Sequence, residues 1–230
     1  MTATRPNALR LLIIVAGSIL AFAFATNGAP AQDNNEIPDL KARAAAGDRS
    51  ATRQLAEAYY LGKGVGQDFS LAAEWYEKLA RQGDARAQTS VGLMYLRGYG
   101  VEKDAKAAMK WWQFAAAQND PAAQYSLGSL HFEGKDVPQN FAEAARWYRQ
   151  AAARGHVQAQ SDLGLMLFHG KGLQKNLVQA YYWSAVAAQQ GDDIAQNNVR
   201  EIAAEMNEIQ IREAEALARE WLKQFKGNRR

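Results

Sequence analysis

At 230 residues with 48% hydrophobic content, the chain can bury one sizeable core, as a single domain or a short repeat array. It has no cysteine, which excludes a thiol nucleophile, a zinc–thiolate site, disulfide staples and a lipid-modified cysteine. The formal charge is +3, with Arg5 and Arg10 contributing two; without them 25 basic residues face 24 acidic ones, a balance that gives no bulk attraction for nucleic acid.

The chain opens with Arg5 and Arg10, followed by the uncharged run Leu11 to Ala25. Ala23-Phe24-Ala25 is an A-x-A cleavage signature, and Ala29-Pro30-Ala31 is a second one. Residues 1–25 therefore read as a secretory signal peptide, with cleavage alternatively after residue 31. The run is shorter than the ~20 residues that span a bilayer, so membrane attachment is expected only if the segment stays uncleaved. No twin arginine is present, which points to the general secretion route. Residues 26–38, polar and proline-containing, read as a disordered linker.

Beyond the linker the sequence repeats with a period of 36. Trp75, Trp111, Trp147 and Trp183 keep this spacing, as do Gly62, Gly98, Gly134 and Gly170, and Ala87, Ala123, Ala159 and Ala195. Gly92, Gly128 and Gly164 fall in step, with Ala56 in the first copy. Four copies run without insertion over 49–84, 85–120, 121–156 and 157–192. Each reads as helix, loop, helix. In copy two, Ala87, Val91, Met94 and Tyr95 share one helical face, and Ala108, Trp111, Trp112 and Ala115 share the buried side of the next helix. The recurring tryptophans, Trp111 and Trp147 among them, are expected to be buried between helices. At the second-helix C-terminus the copies carry Gly83, Asn119, Gly155 and Gly191, the chemistry of a left-handed C′ residue. Asp136 replaces the second loop glycine, a substitution expected to retain positive φ.

The flanks close the array. Leu40 to Asp48 matches the tail of a preceding copy and forms a half-repeat. After Gly191 a fifth first helix carries Ala195 and Ile202, without the Gly-x-Gly loop. Asn207 with Gln210 then resembles a capping box. A last helix is expected to bury Ile211, Ala214, Leu217, Ala218, Trp221 and Phe225, its charged residues shielding the end of the stack. The solenoid is thus assigned to 39–206 and a C-terminal capping helix with tail to 207–230.

The stretch from Ala87 to Ala116 reads A-x-x-x-V-G-x-M-Y-x-x-G-x-G-V followed by D-x-x-K-A-x-x-W-W-x-x-A-A. It resembles the Sel-one-like repeat family, relatives of the tetratricopeptide repeats, over about 49–206. Ser184, Asp136 and Asn119 depart from the pattern. The resemblance implies an all-α, right-handed α-solenoid of helix-turn-helix units, with four full repeats plus the half-repeat and capping helices. It also implies an exported adaptor, periplasmic or secreted, that binds a protein or peptide partner of an envelope process without a cofactor; the chain is expected to be a monomer. Cysteine-rich relatives are associated with penicillin binding or β-lactamase activity, which leaves a cell-wall or β-lactam hydrolase as the alternative.

Catalytic motifs do not support that alternative. Ser-x-x-Lys, H-E-x-x-H, G-x-S-x-G and the P-loop are all missing from the sequence. The Gly-rich loops recur at every repeat and read as turns. His131 stands where other copies have Tyr59, Tyr95 and Leu167, and His156 where they have Asp84, Asp120 and Asp192; no histidine pair has i, i+4 ligand spacing. The expected site is instead the concave face lined by the first helices. Its candidate contacts are Arg53, Glu57, Arg86, Thr89, Arg97, Tyr125, Ser129, Glu133 and His169, which vary between copies inside an invariant frame. Tyr60, Leu96, Phe132 and Phe168 stay apolar in every copy and fit either docking or packing between repeats.

Overall fold

The structure is a computed structural model that describes residues 36–227. Eleven helices make up these residues: α1 Glu36–Ala45, α2 Arg49–Leu61, α3 Phe69–Arg81, α4 Ala85–Arg97, α5 Ala105–Ala117, α6 Pro121–Glu133, α7 Phe141–Ala153, α8 Val157–His169, α9 Leu177–Ala188, α10 Asp193–Ala203 and α11 Glu208–Gly227. Helices α2/α3, α4/α5, α6/α7 and α8/α9 are the four repeats. Each packs on the next element in the chain, which makes the array an α-solenoid. Residues 1–25, read as a signal peptide, and most of 26–38, read as a linker, lie outside the described residues. Glu36, Ile37 and Pro38, assigned to the linker, belong instead to α1. Pro38 sits in the first turn, where a missing N–H breaks no helical bond, and Ile37 packs on the first core cluster.

Caps explain why the helices start and stop in phase. Asp48, Asp84, Asp120 and Asp192 cap first helices, and Asp68, Asp104, Asn140 and Asn176 cap second ones; each side chain accepts a backbone N–H of the first turn. First helices end on Gly62, Gly98, Gly134 and Gly170 in the left-handed conformation. Asn119 has φ +66°, as its C′ position requires. Asp136, by contrast, is not among the positive-φ residues. Its carboxylate receives Lys103 Nζ at 2.9 Å, so an ion pair to the preceding loop replaces the glycine conformation.

Helix pairs close through a small-to-large contact. A Cβ on Gly92 would overlap the Trp112 indole, and one on Gly128 would lie 2.5 Å from the Tyr148 ring. Trp112 Nε1 donates to the Thr89 carbonyl at 3.1 Å, so the ring is hydrogen-bonded as well as buried. The buried column is therefore Tyr76, Trp112, Tyr148 and Ser184. This corrects the expectation for Trp111 and Trp147. Both are half-buried, one position round the helix, each packed on a core cluster that begins in an earlier repeat.

The C-terminal end departs from the repeat. Asn207 and Gln210 form the capping box: Asn207 Oδ1 accepts from Gln210 N, and Gln210 Oε1 from Asn207 N, both at 3.0 Å. Helix α11 then packs on α9, with Trp221 against Trp183 at 6.2 Å and Phe225 over Gly155. Ala214, Ala218 and Leu222 are its buried residues, while Leu217, expected inside, is 40% exposed.

Candidate functional site: the first-helix face

Arg53, Thr89, Tyr125 and Ser161 hold one equivalent position in α2, α4, α6 and α8. Three of them reach the residue that caps the next first helix. Arg53 donates to Asp84 Oδ2 at 2.5 Å, and Arg49 lies 3.7 Å from the same oxygen. Thr89 Oγ1 donates to Asp120 Oδ1 at 3.0 Å. In copy three the capping residue is His156, and Tyr125 stacks on its ring at 4.4 Å. Ser161 Oγ accepts from Asn198 Nδ2 at 3.4 Å. Thr89 and Tyr125 are consequently buried, 8% and 7% exposed, and do not project to solvent as their spacing suggested. They tie neighbouring repeats together.

His156 caps α8 with Nδ1, which accepts from Ala159 N at 3.3 Å. Only the neutral ring can accept there, and burial lowers its pKa to about 4. Tyr125 Oη donates to Asp162 Oδ2 at 3.1 Å, and Ser129 Oγ lies 3.2 Å from the Tyr148 hydroxyl. Burial pushes the Asp162 carboxyl up to about 7, outweighing the Tyr125 hydrogen bond, and the nearby Asp192 charge adds to the rise. The Tyr125 hydroxyl is itself raised, by burial first and by Asp162 second.

Other candidates do reach the surface. Glu57, Arg86, Arg97, Glu133 and His169 are exposed, and Ser129 is half-buried. Glu133 pairs with Lys135 at 3.2 Å, and the His169 ring leans on Phe168 at 4.8 Å. Arg86 and Arg97 make no ion pair and no side-chain hydrogen bond among the described residues. The apolar column resolves towards packing. Tyr60 contacts Phe69, Tyr76 and Tyr99, Phe132 contacts Phe141 and Tyr148, and Phe168 is buried. Among the described residues no group of three His, Cys, Asp or Glu could hold a metal ion, and no helix is long and apolar enough to cross a membrane.

Sequence reading missed the links between caps. Their signal is a spacing of 31 residues, from the fifth position of one first helix to the cap of the next. Arg53 faces Asp84 and Tyr125 faces His156, a matched change of chemistry at both ends.

Stacked helix pairs, closed by glycine-to-side-chain contacts and joined by cap links, define a helical-repeat solenoid. The Sel1 repeat family model matches residues 49–84, 85–120, 121–156 and 157–192, and the chain belongs to that family. Proteins of this kind act as protein–protein interaction scaffolds. Among solved structures the chain is similar to c5321, a protective antigen of uropathogenic Escherichia coli with an SLR fold, at 32% identity and TM-score 0.75 over 82% of this chain and 41% of that one. It is also similar to a Sel1 repeat protein from Oxalobacter formigenes, at 34% identity and TM-score 0.67 over 75% of this chain and 50% of the other. The chain thus spans half or less of these solenoids. No curated protein matches it.

Proposed function

We propose that the chain is an exported scaffold that binds a protein or peptide across its first-helix face, through Glu57, Arg86, Arg97, Ser129, Glu133 and His169. The observation that carries this reading is the contrast among the arginines. Arg49 and Arg53 are held by Asp84, whereas Arg86 and Arg97 are exposed with no carboxylate of their own among the described residues. An unpaired guanidinium presents a planar donor fork that suits carboxylates of a partner. The Ala23-Phe24-Ala25 motif supports export to the periplasm or beyond.

The test is affinity capture of the mature chain's partner from an envelope fraction, followed by titration of that partner. A variant carrying Arg86→Ala, Arg97→Ala, Glu133→Ala and His169→Ala is expected to lose at least tenfold in affinity with its helical content intact. Unchanged affinity would move the site off this face.

A further inference from the structure

We propose that the cleft between α10 and α11 is a docking groove for an amphipathic helix of a partner protein that sets a carboxylate against Arg200. In copies two and three, glycine on the first helix admits a large ring from the second, Gly92 for Trp112 and Gly128 for Tyr148. In copy four Gly164 admits Ser184. The next residue in this column, 36 beyond Gly164, is Arg200. A guanidinium on a three-methylene stem leaves no room for an aromatic ring at that depth, and the repeat's own pairing stops there. Helix α11 does not pack across α10; it lies on α9.

The result is an open cleft of about 560 Å³, with Ala185, Ala188 and Val199 as its apolar part and Gln196, Arg200, Arg219 and the carboxylate of Glu215 as polar walls. The same columns are sealed elsewhere. Gln88, Gln124 and Gln160 are buried, while Gln196 is exposed; Val91, Leu127 and Leu163 are at most 1% exposed, while Val199 is half-buried. Helix α10 therefore presents a face that every complete repeat covers with a helix.

Charge specifies the occupant. Arg219 is paired with Glu215 on its own helix at 3.4 Å. Arg200 reaches only the Asn197 amide oxygen, also at 3.4 Å, and meets no carboxylate among the described residues. The groove therefore inverts the internal rule. Where the repeats set a small residue on the first helix against a large one on the second, here the first helix supplies the large cationic group. A complementary helix supplies Asp or Glu there, with small apolar residues towards Ala185 and Ala188. The surface uses none of the residues assigned to the first-helix face.

The probe is a fluorescein-labelled synthetic peptide of residues 141–156, the chain's own second-helix sequence, carrying Tyr148→Glu. Anisotropy titration against the full chain is expected to saturate. Arg200→Glu in the protein is expected to weaken this binding about tenfold, and a peptide carrying Tyr148→Arg to restore it. Circular dichroism checks that the variant folds, as an exposed position allows. The first-helix-face quadruple variant is expected to bind the peptide normally. No saturable binding, equal affinity for the Arg200→Glu protein, or loss in the quadruple variant would each overturn the proposal. So would a dimer of the full chain in sedimentation that Arg200→Glu dissociates, because the groove would then belong to a second copy.

Discussion

Two repeats of this solenoid satisfy a buried glutamine through an amide relay, and a third breaks it. Gln118 donates to Gln88 Oε1 at 2.9 Å, and Gln190 to Gln160 Oε1 at 2.6 Å, each across 30 residues. The equivalent donor for Gln124 is Arg154, which turns instead to the Gln150 carbonyl and Asn119 Oδ1. Gln124 Oε1 is left buried without a hydrogen bond. An unsatisfied buried acceptor costs about 1–3 kcal/mol. Arg154→Gln is therefore expected to stabilise the protein by about 1 kcal/mol, read as a rise of a few degrees in melting temperature; an unchanged or lower value would mean that the relay does not re-form. Two titrations act in opposite directions in the same region. The His156 pKa is depressed, so the unfolded chain takes up the proton first, and its contribution is full above about 6.5 and lost as pH falls towards about 4. The Asp162 pKa is raised, so the unfolded chain releases its proton first, and stability falls as pH rises from about 4 towards about 7. The two slopes offset each other in the parent chain. In Asp162→Asn the His156 slope should appear alone, as a urea midpoint that falls on acidification from pH 6.5, with a higher midpoint than the parent at pH 8. A pH-independent midpoint in that variant would remove His156 from this role.

At the scale of helices, the large buried side chains opposite the glycine column carry the pairing. Trp112 is 2% exposed and hydrogen-bonded through its indole, whereas Trp111 is half-buried on the preceding cluster. Truncating a fully buried tryptophan typically costs about 3–5 kcal/mol. Trp112→Ala is expected to lose that amount in urea unfolding, and Trp111→Ala clearly less; equal losses would contradict the assignment of columns. Gly128→Ala tests the same contact from the other side. Its Cβ would meet the Tyr148 ring at 2.5 Å, an overpacking that costs about 1–3 kcal/mol. Helix periodicity made both tryptophan columns visible in the sequence. It did not say which one faces the partner helix, because adjacent residues are only about 100° apart and both faces of a second helix meet neighbours in a stack.

For the whole molecule, stability is passed along by neighbours. The cap links Arg53–Asp84, Thr89–Asp120 and Tyr125–His156 join each first helix to the next. Thr89→Ala removes one such link and leaves Asp120 Oδ1 with one donor fewer. It is expected to lower the melting temperature with no direct effect on partner binding, unlike the exposed Arg97→Ala. If Thr89→Ala weakened binding while leaving melting unchanged, Thr89 would return to the docking surface where its spacing first placed it. Export is checked by intact-mass measurement of the protein from periplasm or medium, with cleavage expected after Ala25 or Ala31.

Repeat length, the glycines that end the helices and the Asn207–Gln210 capping box were legible in the chain by itself, because such residues act on their own backbone within a few positions. Variation between copies picked out the exposed Arg86, Arg97 and Glu133, but it picked out the buried Thr89 and Tyr125 equally. Only tertiary structure decided that Thr89 and Tyr125 face a neighbouring cap, that Trp112 rather than Trp111 is enclosed, and that α11 lies on α9 and leaves a groove beside Arg200. Those outcomes depend on which surface of one helix meets another. That is set by the fit of side chains brought together from 23 to 37 residues apart, as in Trp112 to Thr89 and Tyr125 to Asp162, and no local pattern encodes it.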